Sequence, residues 1–310
     1  MVKLGVSLPQ FQQFTPGVDV VAAARALEEI GFDSLWAFER LLVPEDQSGP
    51  HGLYNVPGLP WPDLYRGVTD ALVTLSMAAA VTERIELGAG VLVVPLHVPV
   101  RLAKQLATLD AASGGRLIAG LGSGWSIDEF AAGGAVPITE RGRALDDFLD
   151  IAEAVWGPNP VSFATGRFRA DAADIGPKPA RRIPVLLGAA SDKALARVAR
   201  RADGWVASGA TPEQVAEKLA LVKRLAEEYG RDPATIGCTV QIATLDLTES
   251  TAQPRPPYAG NVAQLAEDVA ALAEAGADHV YLTLPAAVKD VTELIDRSGE
   301  FYETVRAAGV

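Results

Sequence analysis

Cysteine is nearly absent from this sequence: Cys238 is the one thiol in 310 residues. An internal disulfide is therefore excluded, as is a zinc or iron–sulfur site built from several cysteines. Histidine is almost as scarce. His51, His97 and His279 are scattered and lack HExxH spacing, so no histidine-based metal centre is expected. Positive charge is in deficit, with 27 Lys and Arg against 39 Asp and Glu and a formal net charge of -12. Nucleic acid and anionic membrane surfaces both require a basic footprint, and neither is expected as a partner. No run of about 18 apolar residues occurs, and MVKLGVSLPQ has no basic stretch leading into an apolar segment. A cytoplasmic protein is the resulting expectation.

What the chain does have is enough apolar matter for a large core, 49% hydrophobic against 21% charged. Short aliphatic runs alternate with helical stretches throughout, the pattern of a parallel sheet joined by crossover helices. Strands are predicted over 3–8, 34–37, 85–94, 117–121, 185–187, 204–207, 239–245 and 279–284. Helices are predicted over 18–30, 71–81, 100–112, 139–156, 192–201, 212–229, 262–275 and 291–308. Three helix exits share one chemistry: Gly31-Phe-Asp33, Arg201-Ala-Asp203 and Gly276-Ala-Asp278 each place an aspartate in a tight turn before an apolar strand. Eight such units close most naturally into an α/β (β/α)8 TIM barrel, with a doubly wound sheet as the alternative. Residues 1–310 then form one barrel domain. Its long connections, 41–69 and 157–182, are insertions expected at the C-terminal face, where barrels gather their binding groups.

At the strand ends, Gln10 either offers an amide to a ligand or is an inert loop residue. Glu39 and Arg40 set an acid beside a permanent cation, as a site or as a structural ion pair at the rim. His97 follows strand three and is a candidate proton carrier. Gly88 and Gly90 interrupt a β-branched strand, which marks a bulge or the close approach of something flat. Gly120-Leu-Gly-Ser-Gly-Trp125 fails the GxGxxG dinucleotide spacing and reads instead as bare backbone beside a cofactor, at Ser123, Gly124 and Trp125. Asp128 and Glu129 are either helix-start charges or catalysts. Gly188, Ala189, Ala190 and Ser191 form a phosphate cup at a helix start, or Ser191 is simply an N-cap. GxSxG is absent, no strand end carries a Schiff-base lysine, and Cys238 lies on the stability face as a small hydrophobe.

Taken in order, Gly31-Phe-Asp-Ser-Leu-Trp36 with Glu39-Arg40, Leu87-Gly-Ala-Gly-Val91 with Pro95, Ala103-Lys-Gln-Leu-Ala-Thr-Leu-Asp110, Ser113-Gly-Gly-Arg-Leu117, Gly120 to Trp125, Pro177-Lys-Pro179, Pro184 to Gly188 and Ala202-Asp-Gly-Trp205 carry a resemblance. The chain resembles the bacterial luciferase-like monooxygenase superfamily, and within it the coenzyme F420-dependent oxidoreductases. That resemblance implies a barrel with a deazaflavin or flavin ring at its mouth. It implies a non-proline cis peptide at Gly90–Val91 behind the ring, the cofactor phosphate on Gly188, Ala189, Ala190 and Ser191, and the ring bordered by Ser123 to Trp125. It further implies a small-molecule substrate and a homodimer. Several members carry Asp-His where Glu39-Arg40 stand here and Glu where Trp125 stands, so their acid–base pair does not transfer. Arg40 is expected to meet cofactor or substrate oxygens, with Glu39 holding it. F420-dependent hydride transfer is the leading expectation. An FMN-dependent monooxygenase and a non-catalytic flavin-binding protein are the alternatives.

Overall fold

The alternation closes on itself. In the computed structural model, which describes all 310 residues, the chain begins with β1 (Lys3–Ser7), α1 (Val18–Ile30) and β2 (Ser34–Ala37), followed after a long loop by α2 (Ala71–Ala79). The third strand is split into β3 (Glu86–Ala89) and β4 (Leu92–Val93), and α3 (Pro99–Ala112) leads to β5 (Leu117–Gly122). A short α4 (Ile127–Gly133) precedes α5 (Arg141–Trp156) and an antiparallel hairpin of β6 (Val161–Thr165) and β7 (Phe168–Ala173). The remaining units are β8 (Val185–Gly188), α6 (Asp192–Arg201), β9 (Gly204–Ser208), α7 (Pro212–Glu228), β10 (Gly237–Ala243), α8 (Val262–Glu274), β11 (His279–Thr283) and α9 (Val291–Ala307).

All barrel pairings are parallel. They run β1, β2, β3/β4, β5, β8, β9, β10 and β11, and β11 returns to β1 in the register Lys3↔His279 to Val6↔Leu282. The eight predicted strands and eight helices are therefore present, several with the expected bounds. The sequence reading missed α4 and the hairpin, and it ran strand three unbroken through Gly90-Val91.

The repeated aspartate turn has a definite task. Oδ2 of Asp33 accepts the Leu4 N–H of β1, Asp203 that of Val185 in β8, and Asp278 that of Cys238 in β10, each at 2.8 Å. Every one of these turns thus caps the first or second amide of the strand before it while launching the next. Gly31 closes α1 at φ 112°, a left-handed conformation that glycine adopts without penalty. Helix starts are capped in the usual chemistry, with full capping boxes at Thr211/Gln214 and Asn261/Gln264.

The core has two parts. A large cluster lies between barrel and helices, and a smaller one of Trp36, Ile118, Leu186, Val206 and Tyr281 fills the barrel itself. Beneath Trp36, Ser34 Oγ sits 2.6 Å from Nε2 of the buried His279. Burial depresses the His279 pKa from 6.5 to about 3, so the ring is neutral in the folded protein. Its unfolded counterpart takes up a proton below about pH 6.5, so this histidine's contribution is complete above that pH and declines as pH falls toward 3. We expect stability to fall by about 1.4 kcal/mol per pH unit from this group across that window. Chemical denaturation at stepped pH, with His279→Asn flattening the profile, measures it. Cys238 is buried, which pushes its thiol up to about 12 and leaves it unreactive. No helix is long and apolar enough to cross a membrane.

Candidate active site at the barrel mouth

The C-terminal strand ends surround a cavity of about 430 Å³, within the range of small-molecule sites. Its floor is where the third strand breaks. The Gly90–Val91 peptide is cis, as the resemblance implied. Val91 packs where neighbouring strands have no side chain: a Cβ on Gly122 would lie 2.7 Å from Val91 Cγ2, and one on Gly188 3.4 Å from Cγ1. Gly88 and Gly90 do not simply clear space for a ligand. A Cβ on Gly88 would strike the Trp36 ring, and one on Gly90 would meet Trp36 and the Tyr281 hydroxyl. The strand-three glycines admit an indole into the barrel, and that indole supports the floor from below.

Gly90, Val91, Ser123, Gly124, Trp125, Gly188, Ala189 and Ala190 all line the cavity. Ser191 does not: it is exposed, and its Oγ accepts the Ala194 N–H as the N-cap of α6. Gln10 is no ligand donor either. Its buried amide donates to the carbonyls of Phe38 and Thr69 and accepts the Phe38 N–H, fastening the ends of the long loop to β1.

Glu39 and Arg40 line the mouth but do not pair with each other, contrary to the sequence expectation. Glu39 Oε1 lies 2.7 Å from His97 Nε2, and Oε2 accepts the Val93 N–H. Burial opposes the His97 cation, but the hydrogen bond and charge of Glu39, with the charge of Asp70, outweigh it and raise the His97 pKa above its ordinary value. Arg40 turns instead to Glu129, Nη1 to Oε2 at 2.9 Å, with side chains only 9% and 3% exposed. The guanidinium lies over Trp61 and Trp125, 4.9 and 5.1 Å from the centroids of two indoles that pack on each other at 4.9 Å. Burial raises the Glu129 pKa against the opposing pull of Arg40 and the Leu41 amide. Arg40 is thus a pin for the long loop. Asn55 donates to the Trp125 carbonyl, His51 meets Asp128 at 2.9 Å, and the buried Trp61 donates to the His51 carbonyl. The loop folds over Trp125 and the start of α4, walling one side of the cavity.

Sequence reasoning missed the polar wall opposite. Ser208 Oγ donates to Gln241 Oε1, Gln241 Nε2 to Thr283 Oγ1, and Thr283 shares a hydrogen bond with Ser7. Ser208, Gln241 and Thr283 face the cavity. Only their place at consecutive strand ends marks them, a signal visible once the barrel register is known. Phe11, Phe38 and Tyr65, with ring centroids 5.5 to 6.1 Å apart, form an apolar corner.

The family model described as luciferase-like monooxygenase matches residues 3–254. The chain belongs to this family. Among relatives of this luciferase-like barrel, an uncharacterized Mycobacterium tuberculosis protein is 34% identical over 235 residues, covering 74% of this chain and 80% of its own. The F420-dependent glucose-6-phosphate dehydrogenase of Kineococcus radiotolerans is 30% identical over 247 residues, 78% of this chain and 67% of the relative. Among solved structures, an F420-dependent secondary alcohol dehydrogenase with an F420-acetone adduct superposes with a TM-score of 0.78 at 18% identity, over 98% of this chain and 99% of the other. Monooxygenase RslO1 from Streptomyces bottropensis gives 0.76 at 19%, over 99% and 100%. At these identities the structures speak for the fold.

The mouth of this luciferase-like barrel fits a flat heteroaromatic ring. Its floor is made of small side chains around Val91, one wall is aromatic, and the other presents a hydroxyl–amide chain. None of the lining residues is a cysteine, lysine or histidine, and no three His, Cys, Asp or Glu side chains gather anywhere as a metal cluster would require.

Proposed function

We propose that this protein is an oxidoreductase that moves a hydride between the deazaflavin coenzyme F420 and a small organic substrate at the barrel mouth. The observation that carries this reading is the cavity itself: a wide, small-residue floor and aromatic wall, with no cysteine, lysine or histidine among its lining. The relationship to a dehydrogenase named for F420 supports the choice of ring. When bound, the ring supplies the hydride chemistry. The protein contributes position and polarity. Gly90, Val91 and Gly188 form the surface beneath it, and Ala189 and Ala190 lead into the capped start of α6, where free amides and the helix dipole favour a phosphate. Ser208, Gln241 and Thr283 offer hydrogen bonds to a polar ring edge or substrate. Arg40, sealed against Glu129 and two indoles, holds the substrate-side wall and takes no proton at physiological pH.

An FMN-dependent monooxygenase is the second reading, favoured by the match to a family model described as luciferase-like monooxygenase. Absorbance and fluorescence titration of the purified protein with F420 and with FMN decides between them. Saturable F420 binding is expected. Tight FMN binding with none for F420 overturns the proposal in favour of the monooxygenase. F420 binding with no F420H2 oxidation by any acceptor leaves a flavin-binding protein without turnover.

A further inference from the structure

We propose that Glu39 and His97 form a proton relay through the wall of the active site, exchanging with solvent the proton that accompanies each hydride. The inference rests on the oxidoreductase reading above and adds the path of the second particle. Hydride transfer to or from a carbon centre leaves a proton to be delivered or removed, and the mouth offers few groups to carry it. Arg40 cannot release one. Ser208, Gln241 and Thr283 bond one another and do not ionise near neutral pH. Burial raises the Tyr65 pKa, and Tyr54 lies exposed at the rim. Glu39 is the one carboxylate in the lining.

Behind Glu39 lies a second cavity, of about 270 Å³, between the loop after β4, the start of α5 and the turn of the β6–β7 hairpin. His97 lines it and Glu39 does not, whereas Glu39 lines the main cavity and His97 does not. The 2.7 Å contact between His97 Nε2 and Glu39 Oε1 is therefore a bridge through the partition. The other ring nitrogen, Nδ1, has no partner in the protein and is not sealed from solvent. Around His97, Glu39 and Asp70 favour the cation and burial opposes it. Glu140 just before α5, Arg143 and Asp147 from α5 and Arg167 from the hairpin complete the charged wall of the second cavity.

In the reducing direction, F420H2 when bound would supply the hydride with its electron pair, and the substrate atom next to the reduced carbon would take a proton from Glu39. Glu39 recovers that proton from Nε2–H of the His97 imidazolium, which leaves Nδ1–H on a neutral ring; a ring flip brings the bare nitrogen to the second cavity, where it takes a proton from water. One hydride and one proton thus reach the substrate, a two-electron reduction, and oxidation runs the same path backwards.

Two measurements test the relay. Proton NMR of the His97 ring in the protein without cofactor is expected to show titration above pH 6.5 in the wild type, shifted downward in Glu39→Gln. Titration at or below 6.5 in the wild type overturns the proposal, and this arm needs no cofactor. In turnover, His97→Ala and His97→Gln, the latter keeping a hydrogen bond to Glu39 without a mobile proton, are expected to lose about 100-fold or more in kcat. Their F420 affinity is expected to be unchanged. Added imidazole is expected to enter the second cavity, restore His97→Ala and leave His97→Gln slow. Wild-type kcat in either variant, or no response of His97→Ala to imidazole, overturns the relay. A wild type that binds no F420 overturns the functional reading instead, whatever the histidine titration shows.

Discussion

Glu129→Ala is expected to lower the stability of this protein by about 3–5 kcal/mol. The carboxylate is 3% exposed and faces an Arg40 guanidinium that is 9% exposed. Removing the acid leaves a buried cation packed against Trp61 and Trp125 with no anion to offset its lost hydration. The Arg40 Nε and Nη1 atoms already lack directed hydrogen-bond acceptors, so nothing nearby takes over. The Leu41 N–H loses its acceptor as well. Glu129→Gln separates the two effects, because its amide oxygen still accepts from Leu41 while the charge is gone. Its loss is expected to fall between wild type and alanine. Urea midpoints at unchanged slope give the comparison, and an alanine variant within about 1 kcal/mol of wild type removes the pair from the stability of the loop.

That pair also shows where the sequence was readable and where it was not. Glu39 and Arg40 are adjacent, which invites pairing on paper, but successive residues leaving a strand project to opposite sides. Glu39 turns to His97, 58 residues on, and Arg40 to Glu129, 89 residues on. Both residues were legible as site candidates because they end a strand, whereas their partners depend on loops whose path no local pattern fixes. The barrel was legible for the opposite reason. Each βα unit carries its own signals, and the aspartate of each repeated turn bonds a strand only one place away. The β6–β7 hairpin was hidden because its strands alternate weakly and pack along α5, with Thr165 on Asp147. The glycines of strand three signalled a bulge, but its form, a cis peptide at Gly90–Val91, was expected only through the resemblance. Residues at that point, Ala-Gly-Val-Leu, read as continuous strand by propensity.

The second large effect lies inside the barrel. Trp36→Ala is expected to destabilise the protein by about 3–5 kcal/mol, the usual consequence of emptying a buried aromatic site. Trp36 is 1% exposed, stacks on Tyr281 with centroids 4.3 Å apart, and donates its Nε1–H to Ser34 Oγ. Gly5 and Gly88 lack the Cβ that would collide with it and one on Gly90 would crowd it, so the first and third strands approach the ring closely. Gly88→Ala in the wild-type background forces a methyl against the indole and is expected to cost about 1–3 kcal/mol. In the Trp36→Ala background the same methyl enters vacated space. The double variant is therefore expected to be more stable than the sum of the two losses, a coupling that thermal or chemical denaturation reads directly. Strict additivity places the Gly88 effect elsewhere. Because Trp36 and Tyr281 also lie beneath Gly90, the Trp36 vacancy loosens the floor of the mouth. Ring affinity is expected to weaken in Trp36→Ala and to recover in part with Gly88→Ala, which ties the packing of the barrel interior to the geometry of the site above it.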